Sequence, residues 1–367
     1  MSRATYIMIG GFLGAGKTTG ILKLAEQLNG RGLRVGLITN DQSFGLVDTA
    51  LLGARGFPVE EITGGCFCCR FNSLVEASRK LTREARPDVF IAEPVGSCTD
   101  LVATVSYPLR RIYGDDFRVA PLSVLVDPIR ALRVLGLEAG KVFSSKVLYV
   151  YRKQLEEARI IVINKADLLT PERLGNLRAA LAREFREAEQ FVVSAREGTG
   201  LEPWFARITS GEQGSGAPPE VDYDLYAEGE ALLGWLNCTV RIAGEAPFDG
   251  NALLCALARR IGGRLEEQGL EVAHLKMTLI PDEGRDIGVC NLARGDGRAE
   301  QSHTLAEPLE SGRLIVNLRA EGDPADLRAA ALDALEAAAQ AETAVRCDVE
   351  HIEHFRPARP VPTHRMV

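Results

Sequence analysis

Gly11-Phe12-Leu13-Gly14-Ala15-Gly16-Lys17-Thr18 is the stretch on which the reading of this chain turns. It has the form G-x-x-x-x-G-K-[ST]. It lies between a short apolar segment, Tyr6 to Ile9, and a helix-patterned one, Lys17 to Leu28. Strand, loop and helix in that order are the setting in which this motif cradles phosphates. Its glycines let backbone N–H groups curl around an anion, and the helix N-terminus adds a dipole and free donors. Lys17 is expected to reach the β and γ phosphates, and the Thr18 hydroxyl to ligate Mg²⁺. The expected phosphate-binding set is Gly11, Gly14, Ala15, Gly16, Lys17, Thr18 and Thr19.

Working outward, apolar segments read as buried strands at Leu33 to Thr39, Val89 to Ala92, Val119 to Val126, Ile160 to Ile163 and Phe191 to Val193. Helical patterns separate them at about 71–84, 99–112, 129–136, 144–157, 171–187 and 201–209. Continuous apolar strands alternating with helices predict an α/β fold, a mostly parallel sheet with helices on both faces. The pattern stops near Ser210. Residues 1–210 read as a P-loop domain and 211–222, rich in Gly, Ser and Pro, as a linker with almost nothing to bury. Residues 223–354 read as a smaller α+β domain, a sheet covered on one face by two helices, and 355–367 as a Pro/Arg-rich extended tail. In the smaller domain, Gly229 to Ile242 reads as strand, Asp249 to Ile261 as helix and Ala273 to Ile280 as strand. Strands are also read at Ile287 to Leu292, Leu314 to Leu318 and Val345 to Val349, with a helix over Ala325 to Ala341.

Composition sets limits. The chain has 367 residues, 43 Lys plus Arg and 50 Asp plus Glu, for a net charge of −7. This is globular composition, and its acidity argues against tight non-specific nucleic-acid binding. The first nine residues do not read as a signal peptide, and no stretch approaches the roughly 20 apolar residues of a membrane helix. The expectation is a cytoplasmic protein without nucleic-acid or membrane partners.

Asn164-Lys165-Ala166-Asp167 follows a strand and lies downstream of the phosphate loop. The Asp167 carboxylate suits the N1–H and N2–H₂ edge of guanine. Adenine would leave that carboxylate unpaired, which is costly in a closed pocket. Asn164 would tie its loop to the phosphate loop, and Ser194-Ala195 is placed to contact the base. The nucleotide is therefore read as GTP, or GDP, rather than ATP. Asp41, after the second strand, and Glu93, at the end of another, are expected near the γ-phosphate, the Mg²⁺ shell or the attacking water. Gly96 would offer a backbone N–H with no side chain in the way. Asp127, at a further strand end, is a lesser candidate, with a solvated loop residue as the plainer reading.

Eight cysteines are present. Cys98, Cys238, Cys255, Cys290 and Cys347 are scattered and read mostly as small core residues. Gly64-Gly65-Cys66-Phe67-Cys68-Cys69 is different. Three thiolates converging on one soft ion, Zn²⁺, Cu⁺ or Co²⁺, are expected there. Water, Glu60, Glu61 or a partner's side chain would complete the shell, and an open position suits transfer. A redox pair of Cys66 and Cys69, or unliganded structural cysteines, are the competing readings. Cys347-x-x-x-His351-x-x-His354 also has ligand types at metal-like spacing, against a plain polar strand edge.

Together these motifs resemble the cobalamin-synthesis-protein-like family of P-loop GTPases, itself similar to the urease and hydrogenase nickel-insertion GTPases. The resemblance spans the first 210 residues. It rests on Gly11 to Thr18, on Glu93 to Gly96 as a Glu-containing Walker B variant, on Asn164 to Asp167, and on the family's C-x-C-C signature at Cys66, Cys68 and Cys69. It implies Mg²⁺-dependent GTP hydrolysis coupled to insertion of zinc, cobalt or a related ion, with dimerisation or a client protein. The ending places the chain loosely with corrinoid-related proteins, so the client is read as a metalloprotein or a corrinoid-related protein. The family's frequent His-rich loop is absent, which argues against metal storage. Two other classes stay open: a metal or corrinoid sensor that holds GTP as a structural ligand, and a P-loop phosphotransferase.

Overall fold

The computed structural model describes residues 3–40, 52–53, 55–284, 286–295, 297–340 and 345–367. Two compact units emerge. One holds the described residues up to Gly229 together with Arg359–Val367; the other holds Glu230–Ala358.

The first unit is built on a parallel sheet of β1 (Ala4–Gly11), β2 (Val35–Asn40), β3 (Val59–Ile62), β4 (Val89–Glu93), β5 (Phe117–Val119), β6 (Ser123–Val126), β7 (Ile160–Ile163) and β8 (Glu189–Val192). The spatial order is β3-β2-β4-β1-β6-β7-β8, with β5 also on β1. Its helices are α1 (Lys17–Gly30), α2 (Phe71–Glu84), α3 (Tyr107–Ile112), α4 (Pro128–Val134), α5 (Ser145–Glu157), α6 (Pro171–Glu184) and α7 (Leu201–Ser210). A π-helical turn, Val102–Ser106, leads into α3. Ile7, Ile9, Leu37, Ile91, Leu125, Ile160 and Val162 from the central strands pack with Leu24 of α1 and Trp204 of α7. Apolar burial of this kind, at roughly 25 cal/mol per Å², is what drives such a sheet to be covered.

Two expectations change. The strand read as Val119 to Val126 is two strands on β1, with Ala4–Tyr6 facing Phe117–Val119 and Ile9–Gly11 facing Ser123–Leu125. Pro121 breaks it, because proline has no N–H for a ladder, and the Leu122 N–H donates instead to Gln213 Oε1 at 2.9 Å. β3 escaped the sequence reading because Glu60 and Glu61 dominate a four-residue edge strand, where one partner and a half-exposed face suffice. The 211–222 segment runs along this unit. Gln213 is buried, its N–H bonds Val119 O, and Arg110 reaches Gly214 O at 2.9 Å.

The second unit is one antiparallel sheet, β9 (Leu233–Phe248), β10 (Glu271–Pro281), β11 (Gly288–Leu292), β12 (Glu300–His303), β13 (Leu309–Glu321) and β14 (Val345–Phe355), in the order β12-β11-β10-β13-β9-β14. Helix α8 (Tyr223–Leu232) takes the residues 229–232 that had read as strand. Helices α9 (Gly250–Glu267) and α10 (Pro324–Ala339) pack with Leu236, Val240, Leu275, Met277 and Leu318 of the sheet. Asp249 and Asp323 cap their helices by accepting the first free N–H groups.

Candidate functional site

The phosphate loop joins β1 to α1 with Gly11, Gly14 and Gly16 at φ +130°, +78° and +89°. These are left-handed values that β-carbons resist. A Cβ on Gly11 would stand 2.4 Å from Leu125 O, and one on Gly16 would stand 2.4 Å from Asn164 Nδ2. The loop is thus shaped by the backbone of β6 and by the Asn164 side chain from the loop after β7. Lys17 is buried and its Nζ donates to Gly11 O at 2.9 Å, so the ammonium lies folded over the loop.

The Thr18 hydroxyl donates to Glu93 Oε1 at 3.1 Å, both residues being buried. The sheet order brings this about, since β4 lies beside β1 and ends level with the loop. A hydroxyl and a carboxylate oxygen side by side form the hard donor set that suits Mg²⁺. Gly96 lies against the loop, where a Cβ would meet Leu13 Cδ2 at 2.8 Å and Leu13 N at 3.0 Å. Asp41 lies outside the described residues.

Asn164 is buried and ties two loops together. Its Nδ2 donates to Ala15 O at 2.9 Å, and its Oδ1 accepts from Ala195 N at 3.0 Å. Ala195 therefore spends its N–H on Asn164. Ser194 is buried as well; it pairs with Thr199 through both backbone groups, and its hydroxyl accepts from Glu197 N. Lys165 sits at φ +54°, and Asp167 is exposed on the short 3₁₀ turn that follows. Asp127 is not solvated. It caps α4 by accepting from Arg130 N at 3.0 Å and pairs with Lys165 Nζ at 2.9 Å. Through Lys165 it is tied to the base loop.

The cysteines converge. Cys66 Sγ lies 2.6 Å from Cys68 Sγ and 3.1 Å from Cys69 Sγ, with 3.7 Å between the last two. All three sulfurs lie within 4.8 Å of one another. Gly64 and Gly65, at φ +73° and +148°, make the bend. Asn40, at the end of β2, holds it by donating to Ile62 O at 3.0 Å and to Gly65 O at 2.8 Å. Hydrogen bonding with Cys68, Cys69 and Cys98, in that order, holds the Cys66 thiol well below its ordinary range. The contact with Cys66 pushes Cys68 well up and Cys69 to about 11. Three sulfurs this close together form a donor set suited to a soft metal ion. Glu60, one of the expected fourth donors, is engaged with Lys80 at 2.7 Å.

Sequence reasoning missed the tail's part in this site. Val361 N donates to Cys69 Sγ at 3.2 Å, Thr363 N to Cys68 O at 2.9 Å, and the Thr363 hydroxyl to Cys69 O at 3.2 Å. His364 packs edge-on to Phe71. Arg365 pairs with the fully buried Asp100 at 2.8 Å, and the Tyr223 hydroxyl bonds the same carboxylate oxygen at 2.6 Å. Contacts some 290 residues apart leave no one-dimensional signal. Cys347, His351 and His354 lie along β14, where a bulge separates Val349 from His351. Among the described residues they form no ligand cluster. Strand alternation sends residues three apart to opposite faces.

Glycine cradle, buried lysine, base loop and parallel sheet together define a P-loop nucleotide-binding domain. The chain belongs to the CobW/HypB/UreG family: the model of its nucleotide-binding domain matches residues 5–193. It is similar to the "Zinc chaperone YeiR" of Escherichia coli, 32% identical over 167 residues, covering 45% of this chain and 47% of that protein. It is also similar to the "Zinc chaperone CobW" of a Sinorhizobium species, 32% identical over 192 residues, covering 47% and 53%. The chain thus spans about half the length of the curated relatives it matches. The solved structure of Zn(II)-bound YjiA GTPase from E. coli aligns over 91% of this chain and 99% of that one, at 14% identity and TM-score 0.40. No described helix is long and apolar enough to cross a membrane.

Proposed function

We propose that this protein is a Mg²⁺-dependent GTPase that carries a transition-metal ion, zinc or cobalt, on Cys66, Cys68 and Cys69 and delivers it to a client. The client is a metalloprotein or a protein of corrinoid metabolism, and the setting is the cytoplasm. The carrying observation is the convergence of three thiols within 4.8 Å, on a loop anchored by Asn40 to the end of β2. The names of the curated relatives, zinc chaperones, support the cargo.

The chemistry follows from the residues. Water attacks the γ-phosphorus of GTP, the bond to the bridging oxygen breaks, and GDP and phosphate leave. Lys17 and the loop N–H groups stabilise the charge that shifts onto the phosphate oxygens. Mg²⁺, when bound, neutralises the β and γ oxygens, and Thr18 with Glu93 would hold it. Asp167 selects the guanine, and Asn164 holds the base loop against the phosphate loop. Glu93 and Gly96 lie on the segment that senses the γ-phosphate, so loss of that group releases contacts there and, through the Asn40 end of β2, at the cysteine loop. A switch of this kind needs only a few kcal/mol of differential binding.

The test is Zn²⁺ affinity by chelator competition under reducing conditions, first with Mg·GDP and then with a non-hydrolysable GTP analogue. A tenfold difference, about 1.4 kcal/mol, is expected. Equal affinities would replace coupled delivery with a sensor beside an independent GTPase. Transfer of γ-phosphate label to a small molecule instead of water would mark a phosphotransferase.

A further inference from the structure

Residues 360–366 lie on the first unit as an extended segment. Pro360, Pro362, His364 and Met366 are buried or half-buried, and Val361, Thr363 and Arg365 between them are exposed. A period of two is the pattern of an extended chain laid with one face down. Pro360 and Pro362 prepare it, because each fixes its own φ and pushes the residue before it toward extended backbone. Little conformational freedom is then lost on docking.

The surface beneath is built to receive such a segment. At the cysteine bend, Thr363 bonds Cys68 O through its N–H and Cys69 O through its hydroxyl. A further acceptor comes from the π-helical turn, where Tyr107 N donates to Val102 O. The next acceptor in that register, Ala103 O, faces Pro108, which has no N–H to give. Met366 N supplies the missing donor at 2.9 Å. Ala103 is fully buried, where an unmet carbonyl is costly.

Asp100 anchors the segment. It is fully buried at φ +63°, a left-handed value uncommon outside glycine, and its carbonyl accepts from Thr104 N at 3.0 Å. Its Oδ2 takes the Arg365 Nε at 2.8 Å and the Tyr223 hydroxyl at 2.6 Å, while Oδ1 has no hydrogen-bond partner among the described residues. A buried carboxylate calls for a cation, and Arg365 is the one the segment brings. Where the segment crosses the cluster it covers one sulfur. Cys66 and Cys68 are buried and Cys69 is half-exposed, so the solvent side of the cluster lies at Cys69. Val361 N donates to that sulfur at 3.2 Å.

We propose that this groove is a docking site for an extended segment, filled by residues 361–366, and that the segment is a strap gating the cysteine cluster. Seated, it closes the Cys69 side to solvent and to any receiving molecule. Lifted, it opens the path by which a metal ion enters and leaves. The proposal rests on the reading of Cys66, Cys68 and Cys69 as the cargo site and supplies its gate. Its contacts suit reversal: they are single hydrogen bonds and one ion pair whose Arg365 side chain is about one-third exposed. No covalent bond of the chain changes; only metal–sulfur bonds are exchanged as the ion passes.

The test uses the full chain, reduced, in two forms. Loaded with Zn²⁺, it is mixed with excess chromophoric chelator and the rate of zinc loss is followed. Metal-free, it is treated with iodoacetamide and labelling of Cys69 is timed by peptide mass spectrometry, with the half-exposed Cys255 and Cys347 of the other unit as references. Arg365→Ala should speed both processes about tenfold, the shift that loss of a charge-assisted contact gives a seated–lifted equilibrium. Zinc content at saturation and reference labelling should stay unchanged. Arg365→Lys should recover most of the parent behaviour. Val361→Pro removes the N–H on Cys69 Sγ and should speed both processes by a smaller factor, about threefold. Thermal melts report that the variants are folded. Folded Arg365→Ala and Val361→Pro chains with the parent's rates would overturn the proposal, and so would faster Cys69 labelling with unchanged zinc loss. If Cys66→Ser left the zinc content unchanged, the cargo-site reading would fall instead, and the Cys69 labelling rates would still report the strap.

Discussion

Asn164 offers the sharpest test of how the site is assembled. Its amide satisfies two backbone groups from different loops, Ala15 O at 2.9 Å and Ala195 N at 3.0 Å, and the residue is 2% exposed. Asn164→Ala leaves both groups buried without that partner. An orphaned buried donor or acceptor costs about 1–3 kcal/mol, and water entering the small space offsets part of this, so the expected loss is about 2–4 kcal/mol. For a unit of this size, about 2–4 °C of melting temperature accompany each kcal/mol, which predicts a fall of roughly 5–15 °C. Asn164→Asp keeps the acceptor for Ala195 but sets oxygen against Ala15 O, so it should be no milder. The nucleotide should feel the change too, because Asn164 Nδ2 bonds Ala15 O within the phosphate loop and lies 2.4 Å from where a Gly16 Cβ would be. Calorimetric melting, with and without Mg·GDP, separates the effects: the ligand-induced rise in melting temperature should shrink in the variant. An Asn164→Ala protein that melts within a degree of the parent and gains the same stabilisation from Mg·GDP would refute the argument that this side chain joins the two loops.

Three further outcomes follow from the same structure. Lys17→Ala should abolish GTP hydrolysis, measured as phosphate release, and turnover at the parent rate would remove Lys17 from the site. Glu157 is buried and its carboxyl is pushed up to about 8 by desolvation, although Val102 N and Thr99 Oγ1 donate to it. The unfolded chain ionises it near 4.5, so stability should decline as pH rises from that value to about 8, by about 3–5 kcal/mol at about 1.4 per unit. Glu157→Gln should flatten that slope in melts taken across the range, and a parallel slope would contradict the assignment. Arg365→Ala leaves the buried Asp100 carboxylate held by the Tyr223 hydroxyl. Because the Arg365 side chain is about one-third exposed, a loss of about 1–3 kcal/mol is expected, with faster alkylation of Cys69 as the tail loosens.

Local chemistry made much of this protein readable from its residues. A Gly-rich loop between a strand and a helix carries its meaning in adjacent positions, as do Asn164 to Asp167 and Cys66 to Cys69, because the backbone conformations and donor types involved are set within a few residues. The parallel sheet was legible for a related reason: strands buried on both faces must be apolar throughout, as Ile160–Ile163 is. Edges were harder. β3 carries two glutamates because only part of it is covered, and β5 parts from β6 at a proline whose neighbour finds its hydrogen bond on Gln213. The partners of the site came only with the packed chain. Asp127 became a helix cap and an ion-pair partner of Lys165, Asn40 became the anchor of the cysteine bend, and the 359–367 tail came to flank the cluster. The pairings other than the local cap join residues from 22 to more than 290 positions apart. Residue type states what a group can bond. Which distant group it meets is set by the sheet order and by the burial that holds it, and that information exists only once the chain has closed on itself.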